Sequence, residues 1–215
     1  MAIAKKKKRF FEVEIPLIGK TTQLQAFEIG ELNGRHIKYD LTRSLRGKSM
    51  ILQALVEVDG EKASASPKKL TLMPYFLRRM VRKGTNYVED SFSTESKDNK
   101  IRLKPFLITR RKVSRAVRRA LRNKANQELT DYAKTKTSYE IFDDILNNTL
   151  QKTLSIKLKK IYPLSTCEIR VIRIEGPKEE PKKEKKVIKK EEPTEEKPKE
   201  EPKEKTEEQP AKESK

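Results

Sequence analysis

The spacing of apolar residues changes at Val113, and this change limits the chain to a mixed α+β fold. Before Val113, apolar and polar residues alternate in several short runs, which is the period of a half-buried strand. From Val113 to Tyr132, apolar residues recur every three or four positions, which is the period of an amphipathic helix. Strands followed by helices are typical of an α+β fold with a mostly antiparallel sheet or barrel.

The strand region is divided by turn signals. Asn33-Gly34 favours a turn, and Asp59-Gly60 favours a hairpin between two strands. Pro74 predicts the start of a short helix over residues 75–83, because proline in the first turn loses no hydrogen bond, and Gly84 is expected to end that helix. The predicted strands are residues 11–15, 24–29, 36–41, 49–58, 69–73, 87–94 and 100–108.

Two or three helices and a closing strand are expected after the sheet. The first helix carries apolar residues on one side at positions 113, 116, 117, 120 and 121. Thr137 and Glu140 have the spacing of a capping box, which predicts a second helix whose apolar face reaches Leu154. A third helical stretch over 158–161 must end near Pro163, and residues 168–174 alternate as a closing strand.

Charge and composition divide the chain into a basic arm (1–9), an α+β body (10–176) and a tail (177–215). From Gly176 onward 13 Lys balance 13 Glu, whereas the preceding residues hold 38 basic and 19 acidic side chains and therefore carry the whole net charge of +19. The tail has six prolines and few apolar residues, so it is expected to be disordered. The arm is also expected to be disordered until it meets a polyanion, because its like charges repel.

The excess of positive charge indicates a polyanionic partner. Nucleic acid is the first candidate and an acidic membrane surface is the second. No run of about 18 apolar residues predicts a membrane span, and the basic first residues do not resemble a secretory signal, so we expect a cytoplasmic protein.

Few residues offer catalytic or metal chemistry. Cys167 and His36 are the single cysteine and histidine, so neither an intramolecular disulfide nor a zinc site with about four Cys/His ligands is possible, and no cofactor is expected. Gly19-Lys20-Thr21 lacks the earlier glycine of a phosphate loop, because position 14 is Glu14. We interpret Gly19 as a turn residue and Lys20 as a contact to a backbone phosphate.

Two pairs of adjacent carboxylates are also interpreted as structural. Glu89 and Asp90 should point to opposite faces of a strand, and Asp143 and Asp144 suit the first turns of a helix. The chain is therefore predicted not to be an enzyme.

The strongest chemical signal is a run of basic residues with no acid between Arg110 and Arg122. Four arginines of this run fall on one helical face, where each guanidinium can form a bidentate contact with phosphate oxygens. Basic groups on several other elements favour a surface that is embedded in folded RNA over a protein that binds in a single groove of a nucleic acid. The candidate RNA-binding residues are Lys5, Lys6, Lys7, Lys8, Arg9, Lys20, Arg35, Arg43, Arg46, Lys48, Arg78, Arg79, Arg82, Lys83, Arg110, Arg111, Lys112, Arg115, Arg118, Arg119, Arg122, Lys159 and Lys160.

No aromatic-rich motif for stacking single-stranded bases is visible in the sequence. Most phenylalanines fall at positions where the apolar pattern faces the predicted core, so we expect them to pack there. They are Phe10, Phe11, Phe27, Phe76, Phe106 and Phe142.

Four stretches within residues 9–176 resemble the archaeal and eukaryotic ribosomal protein S3Ae family. They are the aromatic pair Phe10-Phe11 with Ile18-Gly-Lys-Thr21, Gly34-Arg35 with Tyr39-Asp-Leu-Thr42, the basic helix over 110–129, and Lys159-Lys-Ile-Tyr-Pro-Leu164 with Glu168-Ile-Arg-Val171. The last of these is the most specific.

The resemblance implies an archaeal structural constituent of the small (30S) ribosomal subunit that supports translation. It implies contacts with small-subunit ribosomal RNA on the platform near the messenger exit, with neighbouring ribosomal proteins and, as a further candidate, with messenger RNA. It implies neither a membrane partner nor a homo-oligomer. The residues alone leave two alternatives open, which are a DNA-binding chromatin or transcription protein and an RNA-processing enzyme.

Overall fold

A computed structural model describes residues 7–60 and 62–177 of the chain. The strands in these residues are β1 (Arg9–Ile15), β2 (Lys20–Ala26), β3 (His36–Asp40), β4 (Met50–Asp59), β5 (Lys62–Leu72), β6 (Tyr87–Glu89), β7 (Phe92–Glu95), β8 (Asn99–Thr109) and β9 (Leu164–Pro177). The α-helices are α1 (Pro74–Met80), α2 (Arg115–Thr135), α3 (Ser138–Leu146) and α4 (Thr149–Lys159), and Ile29–Leu32 forms a short 3₁₀ turn.

The strands form one sheet that branches at β5. One edge of β5 pairs with β4, while its other edge pairs with β1 near Ala63 and with β9 near Leu70. Among the described strands only the β1–β5 pairing is parallel. The predicted α+β fold, with a mostly antiparallel sheet followed by two or three helices and a closing strand, is confirmed.

The hairpin predicted at Asp59-Gly60 joins β4 and β5. Asp59 pairs with Lys62, and Gly60 has φ +64°, a backbone angle that glycine adopts without steric cost. The returning strand begins at Lys62, earlier than the predicted residue 69. The first residues of β5 that face the core, Ala63 and Ala65, are small, so the alternation of apolar and polar residues that predicts a strand is weak there.

The capping box is confirmed at the start of α3, because Thr137 Oγ1 accepts from the backbone N–H of Glu140 and the Glu140 side chain accepts from that of Thr137. The second helix, predicted to continue to Leu154, is interrupted at Asn148. Asn148 has φ +58°, a left-handed conformation that asparagine tolerates better than most residues. The stretch predicted as a third helix, 158–161, is instead the end of α4 and the turn after it.

A buried ion pair holds this interruption against the sheet. Lys48 Nζ lies 2.6 Å from Glu168 Oε2 on β9 and donates a 2.7 Å hydrogen bond to Asn148 Oδ1. The contact with Glu168 is an ion pair and not an aligned hydrogen bond. The Lys48 side chain is 11% exposed and that of Glu168 is 16% exposed. Lys48 therefore connects the loop after β3 to β9 and to the start of α4.

Several predicted boundaries shift for local reasons. β2 starts at Lys20 and stops at Ala26, because a turn with Gly19 at φ +64° returns the chain directly against β1. α1 ends at Met80, before Gly84, since the β-branched Val81 is extended. α2 starts at Arg115, two residues after Val113.

Two aromatic residues and two alanines predicted to pack are exposed. Phe10 is 64% exposed because it shares the outward face of β1, and Phe27 is 38% exposed just beyond β2. Ala116 and Ala120 also face outward. Phe106 and Phe142 are buried as predicted, and Phe11 and Phe76 are partly buried against the core.

The predicted arm and tail lie mostly outside the described residues. Lys5 and Lys6 and the tail from Lys178 onward fall there, whereas Arg9 already pairs with Ala26 and Pro177 with Asn99. Among the described helices none is long and apolar enough to cross a bilayer.

Replacing Lys48 should destabilise the fold measurably. Lys48→Met leaves the Glu168 carboxylate and the Asn148 side chain without a partner, which should cost about 1–3 kcal/mol of unfolding free energy. Urea unfolding followed by circular dichroism measures the loss. Lys38→Met is the matched control, because Lys38 is exposed on β3. Equal unfolding midpoints for both variants would contradict this role of Lys48.

Candidate nucleic-acid interface

The arginine-rich face begins at a capped helix terminus. Ser114 is the N-cap of α2, and its Oγ accepts a hydrogen bond from the backbone N–H of Val117. The cap fixes the direction of the first two turns, which carry Arg115, Arg118 and Arg119. The buried residues Leu121, Ala125, Leu129 and Ala133 follow four residues apart and orient the helix on the core.

Four arginines meet around one cavity. Arg115, Arg118, Arg119 and Arg122 line a space of about 330 Å³ together with Tyr87 of β6. We call this cavity the arginine groove. The prediction that these four side chains share one face of a helix is confirmed by their common lining of the groove.

The arginine groove has little acidic compensation. Among the described residues, Arg115, Arg118 and Arg119 make no ion pair, and the Arg118 Nε is buried without a hydrogen-bond partner. Arg122 lies 3.9 Å from Asp90, whose carboxylate also accepts a 2.6 Å hydrogen bond from Asn126. Because several guanidinium groups converge with little acidic compensation, an anion in the groove would be stabilised.

Hydrogen bonds of Thr109 and Asn86 hold the basic segment over 110–112 in place before α2. Thr109 is fully buried, and its hydroxyl oxygen lies 2.9 and 2.8 Å from the carbonyl oxygens of Asn86 and Arg111, so its one proton can be donated to either. The Asn86 side chain accepts from the backbone N–H of Val113 at 2.9 Å. These contacts hold the turn while Arg110, Arg111 and Lys112 stay exposed.

The arginines of α1 lie on the other side of Tyr87. Arg78 lines a second cavity that also includes Tyr87, and the Arg79 guanidinium lies over the rings of Tyr75 and Phe76 at 6.0 and 5.7 Å. Arg82 and Lys83, which follow α1, are exposed.

A second basic cluster surrounds the loop after β3. Lys20 donates a 3.0 Å hydrogen bond to Ser44, which lies between the exposed Arg43 and Arg46. The Arg35 side chain already has partners within the protein, because it donates to the Gln25 carbonyl and lies 3.8 Å from the Glu31 carboxylate.

The remaining candidates lie on separate elements. Lys7, Lys8 and Arg9 are exposed at the start of β1, and Lys8 covers the Phe27 ring at 5.6 Å. Lys159 and Lys160 are exposed at the end of α4. Lys48 faces inward in its ion pair with Glu168, so its charge serves the fold.

The carboxylates interpreted as structural each have a different partner. Glu89 accepts from Arg170 on β9, whereas Asp90 accepts from Asn126 on α2. Asp144 accepts from Lys136 and, at 2.7 Å, from Tyr132. The hydrogen bond to Asp144, followed by that to Tyr132, raises the pKa of Lys136, which keeps its charge at the junction of α2 and α3.

No metal or nucleophilic centre is visible in the described part of the chain. It holds no group of three or more His, Cys, Asp or Glu side chains that could bind a metal ion. Burial, reinforced by the negative charge of Glu168, raises the pKa of Cys167 to about 12, so its thiol is protonated at neutral pH.

Tyr87 is a site residue that the sequence analysis missed. It is 54% exposed and borders both cavities, whereas the sequence pattern indicates only that it lies in a strand. Its position depends on the pairing of β6 with β8 and on the packing of α2, which are contacts between distant residues. No local pattern reports them.

An α+β body with an arginine face that has little acidic compensation is typical of proteins that bind nucleic acid. Residues 4–177 match the model of the ribosomal S3Ae family, and the chain belongs to that family.

Its relatives include small ribosomal subunit proteins eS1 of archaea. The protein of Nanoarchaeum equitans is 28% identical over 81% of this chain and 92% of its own length. That of Pyrobaculum aerophilum is 31% identical over 70% of this chain and 68% of its own. That of Pyrobaculum arsenaticum is 29% identical over 70% and 69%.

Removing the cap of α2 should loosen the arginine face. Ser114→Ala should lower the free energy of unfolding by about 1 kcal/mol, because the N–H of Val117 loses its acceptor. Ser114→Asp is the control, because aspartate also supplies an acceptor and its negative charge interacts favourably with the helix dipole. Chemical denaturation of the three proteins tests this. An alanine variant as stable as the aspartate variant would show that the cap is unimportant.

Proposed function

We propose that the chain is a structural constituent of the small ribosomal subunit that binds small-subunit ribosomal RNA and supports translation without catalysing a reaction. The observation that carries the proposal is the arginine groove, in which four guanidinium groups converge with one carboxylate, Asp90, nearby. Phosphate oxygens are the ligands that match several converging guanidinium groups. The shared family with proteins named for the small subunit supports this reading.

The proposed mechanism is neutralisation of phosphates by a preformed basic surface. The arginine groove and Arg78 belong to two cavities that share Tyr87, and the exposed segment over 110–112 precedes α2 in the chain. The cluster around Lys20, Arg43 and Arg46 supplies a second contact region. Basic groups on separate elements suit folded RNA, whose backbone approaches a protein from several directions.

The proposed location is the platform of the subunit near the messenger exit, in the cytoplasm. This follows the resemblance to the S3Ae family, which also implies neighbouring small-subunit proteins and messenger RNA as partners. We further propose that the protein enters the subunit as one copy. The division into a basic arm (1–9), a body (10–176) and a Lys/Glu/Pro tail (177–215) belongs to this proposal, with the arm ordering on RNA.

Binding to ribosomal RNA should weaken steeply as salt rises. If about 6–10 phosphates are neutralised, affinity should fall by roughly 10³–10⁵ between 50 and 200 mM salt. Filter binding of the full chain to small-subunit RNA, with duplex DNA as competitor, measures this dependence. A flat salt response, or equal preference for duplex DNA, would contradict the proposal.

Reversing charge in the arginine groove should abolish incorporation into small subunits. The test variant carries Glu at the exposed positions Arg115, Arg119 and Arg122 and leaves the half-buried Arg118 in place to preserve packing. The matched control makes the same charge change at exposed lysines outside the groove, which are Lys38, Lys97 and Lys134.

Sedimentation of tagged proteins through a sucrose gradient measures whether each variant is incorporated into small subunits. The groove variant should remain at the top of the gradient while its circular dichroism spectrum stays unchanged. The lysine variant should still travel with small subunits. Equal sedimentation of both variants would show that the arginine groove does not bind RNA in the particle.

A further inference from the structure

A second cavity adjoins the arginine groove and has a different chemical character. It has a volume of about 410 Å³ and lies between α1, β6 and β8. Leu77, Val81, Tyr87 and Phe106 form its apolar wall. We call it the tyrosine pocket. Its volume falls within the range of about 300–1,000 Å³ that small-molecule sites occupy.

Tyr87 offers an aromatic face that is supported from one side. Its ring stacks on that of Phe106, with the centroids 5.9 Å apart and the planes at 25°. Phe106 is 2% exposed and anchored in the core, while Tyr87 is 54% exposed. A large aromatic side chain held by a buried neighbour and open to solvent is suited to stacking against a flat ligand.

The rim of the tyrosine pocket carries both a donor and an acceptor. The Arg170 Nη1 donates a 2.9 Å hydrogen bond to Glu89 Oε2, and both side chains also line the pocket. Arg170 is 41% exposed and Glu89 is 38% exposed, so each keeps hydrogen-bonding capacity towards solvent. Nucleobase edges present donors and acceptors side by side, and a carboxylate with a guanidinium complements such an edge.

Charge decides between the possible occupants of the pocket. Arg78 lines the tyrosine pocket, and the four arginines of the arginine groove lie on the other side of Tyr87. An apolar protein segment would gain little from these cations. A nucleotide has a flat base for the tyrosine pocket and flanking phosphates for the groove.

We propose that the tyrosine pocket receives one unpaired RNA base, which stacks on Tyr87 and directs its edge towards Glu89 and Arg170. The phosphates flanking that base lie in the arginine groove. This inference rests on the proposed RNA-binding function and adds a position at which the chain distinguishes an extruded nucleotide from a paired one. Recognition of splayed bases by stacking and by edge contacts is a common mode of RNA binding.

Two RNA hairpins of identical sequence in the stem test the proposal with the full chain. One carries a single bulged 2-aminopurine nucleotide, and the other is fully paired. The unaltered protein should bind the bulged hairpin more tightly, and the emission of 2-aminopurine should change on binding because its stacking partner changes. Tyr87→Ala should weaken binding of the bulged hairpin roughly 5- to 150-fold, the usual effect of losing one aromatic–base stack. The same variant should leave the paired hairpin unaffected.

Two further variants separate stacking from general damage. Tyr87→Phe keeps the ring and should retain the preference and the emission change. Tyr139→Ala removes a comparably exposed tyrosine, on α3, and should behave as the unaltered protein does.

The outcomes separate this inference from the proposed function. Equal binding of both hairpins, or an unchanged preference in Tyr87→Ala, overturns the base site while RNA binding itself stands. Failure to bind either hairpin overturns both proposals. If Tyr87→Ala binds RNA normally but is lost from small subunits, the pocket holds a neighbouring protein and not a base.

Discussion

The last described strand, β9, lies in the middle of the sheet, and the rest of the architecture depends on its pairing. One edge of β9 pairs with β8 along nearly its whole length, from Leu164 to Pro177. The other edge meets β5 at three positions centred on Leu70 and Ile172. This short ladder is the pairing that joins strands β1 to β5 with strands β6 to β8 among the described residues. The strand that joins the two halves of the sheet therefore follows all four described α-helices in the chain.

The same arrangement orients the arginine face. The three helices between β8 and β9 connect neighbouring antiparallel strands, so both ends of this helical segment are attached to one ladder. Glu128 ties α2 to α4 through Lys157, and the hydrogen bond from Lys157, followed by that from Lys124, lowers the pKa of Glu128. Because α2 cannot rotate without breaking these contacts and exposing Leu121, its arginines keep a fixed direction. Because the backbone that carries the arginines is already folded, binding would not have to order that backbone.

Local signals in the sequence predicted the elements that form through short-range contacts. The capping box at Thr137 and the hairpin at Asp59 each involve residues close in the chain, so their residue types report the structure directly. The break at Asn148 is different, because its stability depends on Lys48, one hundred residues away. The prediction that Phe10 and Phe27 pack in the core is wrong for a related reason. Alternation along a strand shows that its two faces differ, but it does not show which aromatic side chains lie outside the part of the sheet that other elements cover. The arginine face was predictable from spacing alone, whereas its neighbour Tyr87 was not.

The positions of the acidic residues within the body help to explain how so basic a domain can fold. Glu168, Asp144 and Glu128 pair with cations at junctions between the sheet and the helices or between helices, where each carboxylate stabilises packing. On the outer face of α2, by contrast, Arg115 and Arg119 have no ion pair among the described residues. These three ion pairs thus lie at joints of the fold, whereas many cations without an ion pair lie on exposed surfaces, of which the outer face of α2 is one. Because repulsion between solvated charges is weak in water and is screened by salt, the body tolerates the excess of positive charge.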